Sequence, residues 1–189
     1  MSGKRVAILQ SNYIPWKGYF DLINSVDEFI LFDQVLYTKR DWRNRNKIKT
    51  AHGELWLSIP VKVKGRFSQR IEETEVSSQS WREEHWKSLV FHYGKAPFFN
   101  EFKTAFEKLY LDSAETNLSR INYSFLTAIN SMLDIRTKIS WSSDYEFIDG
   151  KSERLLSLCE QAKASLYLSG PAAKSYLDES IFHAAGIDV

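Results

Sequence analysis

The sequence predicts an α/β fold, with an N-terminal βαβ-type parallel sheet followed by a mostly helical second half. Three observations predict it. Two apolar runs, Arg5 to Leu9 and Glu28 to Asp33, flank a stretch of helically spaced apolar residues, a βαβ unit within about 28 residues. From residue 81 to residue 133, apolar side chains return every three or four positions, the helical period. Hydrophobic residues make up 43% and charged residues 26% of 189, enough for one chain of this size to bury a core.

Each element has its own warrant. Arg5 to Leu9 is the opening strand. Tyr19, Phe20, Leu22, Ile23 and Val26 then mark one face of a helix that stops at Asp27, and Glu28 to Asp33 is the second strand. Leu55 to Val61 alternates like a strand, and Pro60, which has no N–H to donate, puts it at an edge or a strand end. Ile71 to Val76 reads as a further short strand. Helices follow at 81–93, 98–111 and 118–133, the last capped by Thr116 or Asn117. Ile139 to Trp141 is a strand, Lys151 to Ala164 a helix and Ser165 to Leu168 a strand. Ser169-Gly170-Pro171 breaks the chain before a last helix, 173–185. Gly186 to Val189 looks like the opening of one more strand. No linker or repeat interrupts this pattern, so the expectation is one α/β domain over residues 1–189.

Composition also narrows function. It excludes disorder, collagen-like repeats and disulfide-dense miniproteins. Lys plus Arg is 25 against 24 for Asp plus Glu, and a net charge of +1 disfavours nucleic acid as the partner. The lone cysteine, Cys159, has no internal disulfide partner, and no Cys/His spacing suits structural zinc. No apolar run reaches the about 20 residues of a membrane span, and the N-terminus lacks the apolar stretch of a signal peptide. The expectation is a cytoplasmic protein with no membrane insertion.

Ligands of parallel sheets gather beyond the carboxyl ends of the strands. The segment leaving the first strand, Gln10 to Tyr19, is therefore the first candidate site. Gln10, Asn12 and Tyr13 offer hydrogen bonds, Pro15 stiffens the loop, and Gly18 allows close approach near Trp16 and Tyr19. The second is the loop 37–47, where Lys39, Arg40, Arg43, Arg45 and Lys47 interleave with Trp42 and Asn44. Arginine forks suit phosphate or carboxylate, and an indole can stack on a ring. His52 lies between this loop and the next strand, and Asp33 ends the second strand. Either could serve as a general base. Ser169 and Gly170 precede a helix start, an anion-binding arrangement. His85 and His92 share one helix face at a spacing too wide for a metal pair, and Cys159 sits among leucines, so both readings are packing. No Walker loop, GxGxxG, HExxH or GxSxG occurs.

These strings resemble a known family. Gln10…Tyr13-Ile-Pro15-Trp16-Lys-Gly18-Tyr19-Phe20, Asp33, Lys39…Trp42-Arg43-Asn44-Arg45…Ile48-Lys49, Trp56-Leu57…Pro60-Val61, Tyr167-Leu-Ser169-Gly170 and Tyr176-Leu177 are similar to the WbqC-like family. The likeness spans essentially the whole chain. It implies an enzyme of bacterial surface-polysaccharide (O-antigen) biosynthesis, for which glycine or aminoacyl transfer has been proposed. Members of the family usually run on past the equivalent of Val189, so a C-terminally truncated chain is expected. A weaker resemblance is to the HUP class of nucleotide-binding folds, which place His-x-Gly-His after the first strand. Here the string is Trp16-Lys17-Gly18-Tyr19, and both histidines are absent. This likeness is one of fold, and the ligase ancestry it would imply makes ATP with magnesium a candidate; the cofactors themselves stay open at this point.

Together the expectation is acyl or aminoacyl transfer, such as glycyl, to a nucleotide- or lipid-linked sugar. Arg43, Arg45 and Lys47 would clamp phosphate or the donor carboxylate, with Lys39 assisting. Trp16 or Trp42 would stack on a sugar or base, and Gln10, Asn12 and Tyr13 would orient the acceptor. The alternative is a non-catalytic module that binds nucleic acid or carbohydrate through loop 37–47.

Overall fold

The chain divides into two compact units in the computed structural model, which describes residues 3–189. The first unit comprises residues 3–10, 16–34 and 130–189, and the second residues 11–15 and 35–129. The fold is mixed α/β, with an all-parallel sheet of four strands.

In the first unit, β1 (Arg5–Leu9), β2 (Glu28–Leu31), β5 (Lys138–Trp141) and β6 (Leu166–Tyr167) lie in the order β5-β2-β1-β6. Val6 to Leu9 pair with Glu28 to Leu31 in register. Every residue of β2 is buried, which is why these strands read as continuous apolar runs without alternation. Helix α1 (Lys17–Asn24) joins β1 to β2 and buries Tyr19, Phe20 and Ile23. Helices α5 (Ser152–Gln161) and α6 (Glu179–Ala184) supply Leu155, Leu158, Cys159 and Phe182 to a core that includes Val6, Ile8, Ile30 and Tyr167. The expected strand at 186–189 amounts to one parallel bridge, Leu166 with Asp188.

The second unit contains the antiparallel hairpin β3 (Arg45–Thr50) and β4 (Gly53–Ser58), helices α2 (Trp81–Tyr93) and α3 (Phe99–Leu111), and residues 118–129 of α4 (Leu118–Met132). Its core is aromatic: Tyr13, Trp81, Trp86, Tyr110 and Phe125 pack with Ile59, Leu118 and Ile121. Arg82 is buried because its guanidinium caps the end of α3, donating to the carbonyls of Leu109 at 3.3 Å and Glu115 at 2.9 Å.

Some expectations need correction. Loop 37–47 is not all loop, since β3 begins at Arg45; its residues are half-exposed or exposed on both faces, so no alternation announced a strand. Ile71 to Val76 is not a strand. A 3₁₀ turn occupies Ile71–Glu73, where the Glu73 carboxylate accepts from Arg70 N at 2.8 Å, and only Glu75 and Val76 make isolated bridges. The strand over Leu55 to Val61 ends at Ser58, short of Pro60. The helix expected over 173–185 is broken into a 3₁₀ turn, Pro171–Ser175, and α6, because Asp178 acts as an N-cap, accepting from Ser180 N at 3.0 Å. Among the described residues, no helix is long and apolar enough to cross a membrane.

Candidate functional site

The segment Ser11–Pro15 belongs with the second unit, and there it meets the basic loop. Tyr13 N–H donates to the Trp42 carbonyl at 3.1 Å. Arg43 Nη1 donates to Asn12 Oδ1, while its other nitrogen lies 3.7 Å from the Asp41 carboxylate. Asn46 Nδ2 donates to the carbonyls of Tyr13 and Ile14. From α4, Asn122 Nδ2 reaches Ser11 Oγ at 3.0 Å and the Arg43 carbonyl at 2.9 Å. Asn44 joins the base of the same loop to the residue that follows β4, since its Nδ2 donates to the Ile59 carbonyl at 2.8 Å. Side-chain amides thus replace ladder bonds where the chain has no regular structure.

Burial works against the Asp41 carboxylate. Hydrogen bonds from Thr38 Oγ1 at 2.6 Å and Trp42 N–H at 2.7 Å, with the charges of Arg43 and Arg45, nonetheless hold its pKa below the ordinary value. Beneath the loop, the Tyr13 hydroxyl shares hydrogen bonds with His85 Nδ1 at 2.9 Å and the Tyr110 hydroxyl at 2.5 Å. Burial raises the pKa of Tyr13 well above its usual value and takes His85 down to about 4. All three groups are therefore neutral at pH 7.

The outer face is different in kind. Trp42 and Trp56 stand 5.4 Å apart between ring centroids and are 48% and 39% exposed. The Arg45 guanidinium lies 4.1 Å from the Trp56 ring and Lys47 Nζ lies 4.9 Å from it. Arg45 Nε is buried without a hydrogen-bond partner, although Arg45 Nη2 donates to the Arg40 carbonyl. Lys47 Nζ also pairs with the Glu54 carboxylate, so the charge this paired indole surface offers an anion comes first from Arg45, while the indoles can hold a ring by stacking.

The other sequence-selected residues are spread more widely. Lys39 extends over Phe67, 5.9 Å from its ring centroid, and is not part of the indole cluster. His52 is exposed at the tip of the β3–β4 hairpin, where its N–H donates to Thr50 Oγ1 at 3.1 Å. In the first unit, Asp33 is buried just past β2, and Gln10 follows β1. The Tyr19 hydroxyl donates to the Gln10 carbonyl at 2.9 Å, and Tyr19 itself is buried. Ser169 and Gly170 follow β6, which borders β1 on the side opposite β2, so they flank the point where strand order reverses. Nothing lies within 4 Å of the position a Gly170 Cβ would take, which leaves that edge open. Trp16 is 71% exposed and lies across Gly18, where an added methyl would fall 2.0 Å from the indole.

The sequence reading left Ser11, Asn46, Trp56 and Asn122 without a role in the site, and read His85 as packing, where it lies buried against Tyr13 and Trp81. One of them carried a legible signal. Asn122 interrupts the apolar stripe formed by Leu118, Ile121 and Phe125, and a polar residue on such a stripe needs a buried partner.

Comparison with known proteins agrees with the quoted strings. An uncharacterized protein of Mycobacterium tuberculosis (strain ATCC 25618 / H37Rv), Rv1507c, is 53% identical over 186 residues, covering 98% of this chain and 80% of that protein. No solved structure matches. Residues 10–189, which include both segments of the amide-braced site, match the WbqC-like protein family, and the chain belongs to that family.

Proposed function

We propose that this chain is a cytoplasmic enzyme of bacterial surface-polysaccharide (O-antigen) biosynthesis that transfers an acyl or aminoacyl group, such as glycyl, to a nucleotide- or lipid-linked sugar. The observation that carries the reading is the exposed Trp42–Trp56 pair edged by Arg45 and Lys47. A nucleotide-sugar or lipid-linked sugar offers the matching chemistry, a flat ring or sugar face joined to phosphate. Arg43 and Lys47 hold the phosphate or the donor carboxylate, and Asn12 steers Arg43. Tyr13, buried below, keeps the loop in place and does not itself touch the ligand. His52 is the candidate general base of this unit. It lies four residues along the hairpin from Trp56, about 13 Å at strand rise, a span within the length of a nucleotide-sugar.

In the first unit, Gln10, Ser169 and Gly170 mark the nucleotide-binding edge of a parallel sheet, with Asp33 nearby in sequence register as a second candidate base. If the transfer is driven by ATP with magnesium, this edge is where the nucleotide is bound.

Calorimetric titration of the protein with a panel of nucleotide-sugars tests the reading. Arg43→Ala is expected to cost about 2–5 kcal/mol of binding, as removal of a half-buried charge clamp does. Trp56→Ala is expected to cost about 1–3 kcal/mol, the range for a stacked ring. Unchanged affinity in both variants refutes the site. The alternative, a non-catalytic carbohydrate- or nucleic-acid-binding module, is favoured by the same indole pair. It is distinguished by salt: nucleic-acid affinity falls steeply with ionic strength through phosphate neutralisation, and affinity for a neutral glycan does not.

A further inference from the structure

The second unit carries another feature that the sugar site does not use. Segments 35–37 and 69–71 run side by side: Leu36 bridges Arg70 antiparallel, Tyr37 N–H donates to the Gln69 carbonyl at 3.0 Å, and Ile71 N–H donates to the Val35 carbonyl at 3.0 Å. Beyond this pairing, the chain turns at Gly65, which has φ 73, and presents Phe67 at 87% and Leu36 at 61% exposure. Lys39 Nζ stands 5.9 Å over the Phe67 ring. Arg40, Lys64 and Arg66 are exposed on the stretches that adjoin these two segments in the chain.

The charges around this apolar pair are one-sided. No acidic residue occurs from Leu55 to Ile71. Of the nearest carboxylates along the chain, Asp41 pairs with Arg43 at 3.7 Å, Glu54 with Lys47, Glu72 with Arg70 at 3.5 Å and Glu75 with Lys62 at 2.7 Å, with the charge of Arg66 also acting on Glu75, while Glu73 accepts from the Arg70 N–H. Among the described residues, none of Lys39, Arg40, Lys64 and Arg66 forms an ion pair. The net charge of +1 conceals this local excess, because the balancing acids lie elsewhere.

We propose that Leu36 and Phe67, with Lys39 over the Phe67 ring and the exposed Arg40, Lys64 and Arg66 close by in the chain, dock the protein on an anionic phospholipid surface. Exposed hydrocarbon with cations close by matches the boundary between acyl chains and headgroups, where the apolar side chains enter and the cations stay with lipid phosphate. Leu36 decides against nucleic acid, since an aliphatic side chain has no face on which a base stacks. The docking is peripheral and needs no spanning segment. It stands whether or not the chain transfers acyl groups.

The test is flotation of the full chain with vesicles of phosphatidylcholine alone and of phosphatidylcholine containing about a third phosphatidylglycerol. Binding is expected only with the anionic vesicles, weakening as salt is added. Lys64→Glu with Arg66→Glu is expected to lower the partition coefficient at least about 30-fold, from the attraction of anionic lipid for each cation. Phe67→Ser is expected to lower it about tenfold, and Phe67→Trp to retain it. These side chains are exposed, so melting temperatures are expected to stay at the wild-type value. Absence of flotation with anionic vesicles overturns the proposal. So does equal binding by wild type and Phe67→Ser, or an oligonucleotide that binds this patch while anionic vesicles fail to displace it.

Discussion

Glu28 opens β2 with a carboxylate that has no solvent exposure, and replacing it with glutamine tests how the first unit is held together. Its Oε1 accepts from Ser140 Oγ at 2.7 Å and Tyr145 OH at 2.5 Å and meets Lys138 Nζ at 2.8 Å, while its Oε2 meets Lys4 Nζ at 2.6 Å. Burial alone would raise its pKa. The four donors outweigh burial and take it from 4.5 to about 2. A drop of that size corresponds to ~3 kcal/mol of folding stability, and solvent screening at the two lysines, which are 35% and 65% exposed, reduces it to ~2 kcal/mol. Because the folded-state pKa is depressed, the contribution is complete above pH 4.5 and is lost as pH falls towards 2. Glu28→Gln is therefore expected to lose ~2 kcal/mol at pH 7 in urea unfolding, and its gap from wild type is expected to shrink by more than half at about pH 3. A gap that is the same at both pH values would show that the carboxylate charge is not what stabilises the strand.

The remaining predictions concern the cores and the loop. His85, lowered by burial to about 4, stays neutral in the folded chain while the unfolded imidazole takes a proton near 6.5, so stability is expected to fall as pH drops from 6.5 towards 4. Urea midpoints across that window, with His85→Gln as the comparison, check this; an unaltered slope in the variant counts against it. Cys159, fully buried and pushed up to about 12 by burial, is expected to resist a thiol reagent at pH 7 until denaturant exposes it, and immediate labelling of the native chain would contradict that. Asn46→Ala removes two bonds to loop carbonyls and is expected to cost about 1–2 kcal/mol of stability and to weaken sugar-nucleotide binding, both measurable by melting and titration.

The elements that the sequence announced are those whose burial follows a period. Strands β1 and β2 are largely buried and appear as apolar runs, and α2 spans the 81–93 that its three- and four-residue apolar spacing indicates. Strand β3 was silent for the opposite reason: Arg45-Asn46-Lys47-Ile48-Lys49-Thr50 buries no complete face, so its pairing with β4 rests on backbone bonds that leave no pattern. The same contrast governs the site. That Arg43, Arg45 and Trp42 share a charged aromatic loop is written in their order along the chain. That Asn12 receives Arg43, or that Asn122 reaches Ser11 across 111 residues, depends on packing that no spacing encodes. Trp56 was read as one position of a strand, and only the hairpin register, which places it opposite Lys47, makes it the partner of Trp42.

Ile14 shows why those amides are where they are. Its φ of 43 is unusual for any side chain and more so for a β-branched one, and the proline that follows pushes its backbone towards extended conformations instead. Such a residue costs about 1–3 kcal/mol and persists only where its surroundings over-determine it. The surroundings here are Asn46, which holds the carbonyls of Tyr13 and Ile14, the bond from Tyr13 N–H to the Trp42 carbonyl, and the Tyr13 ring anchored between Trp81 and Phe125. A loop so constrained is ordered before any ligand arrives. Binding then does not lose the conformational freedom that a mobile loop would, and Asn12 holds Arg43 in one orientation from the start. The strain at Ile14 is thus the structural counterpart of a preset guanidinium, which is what recognition of a phosphate or carboxylate by a fixed fork requires.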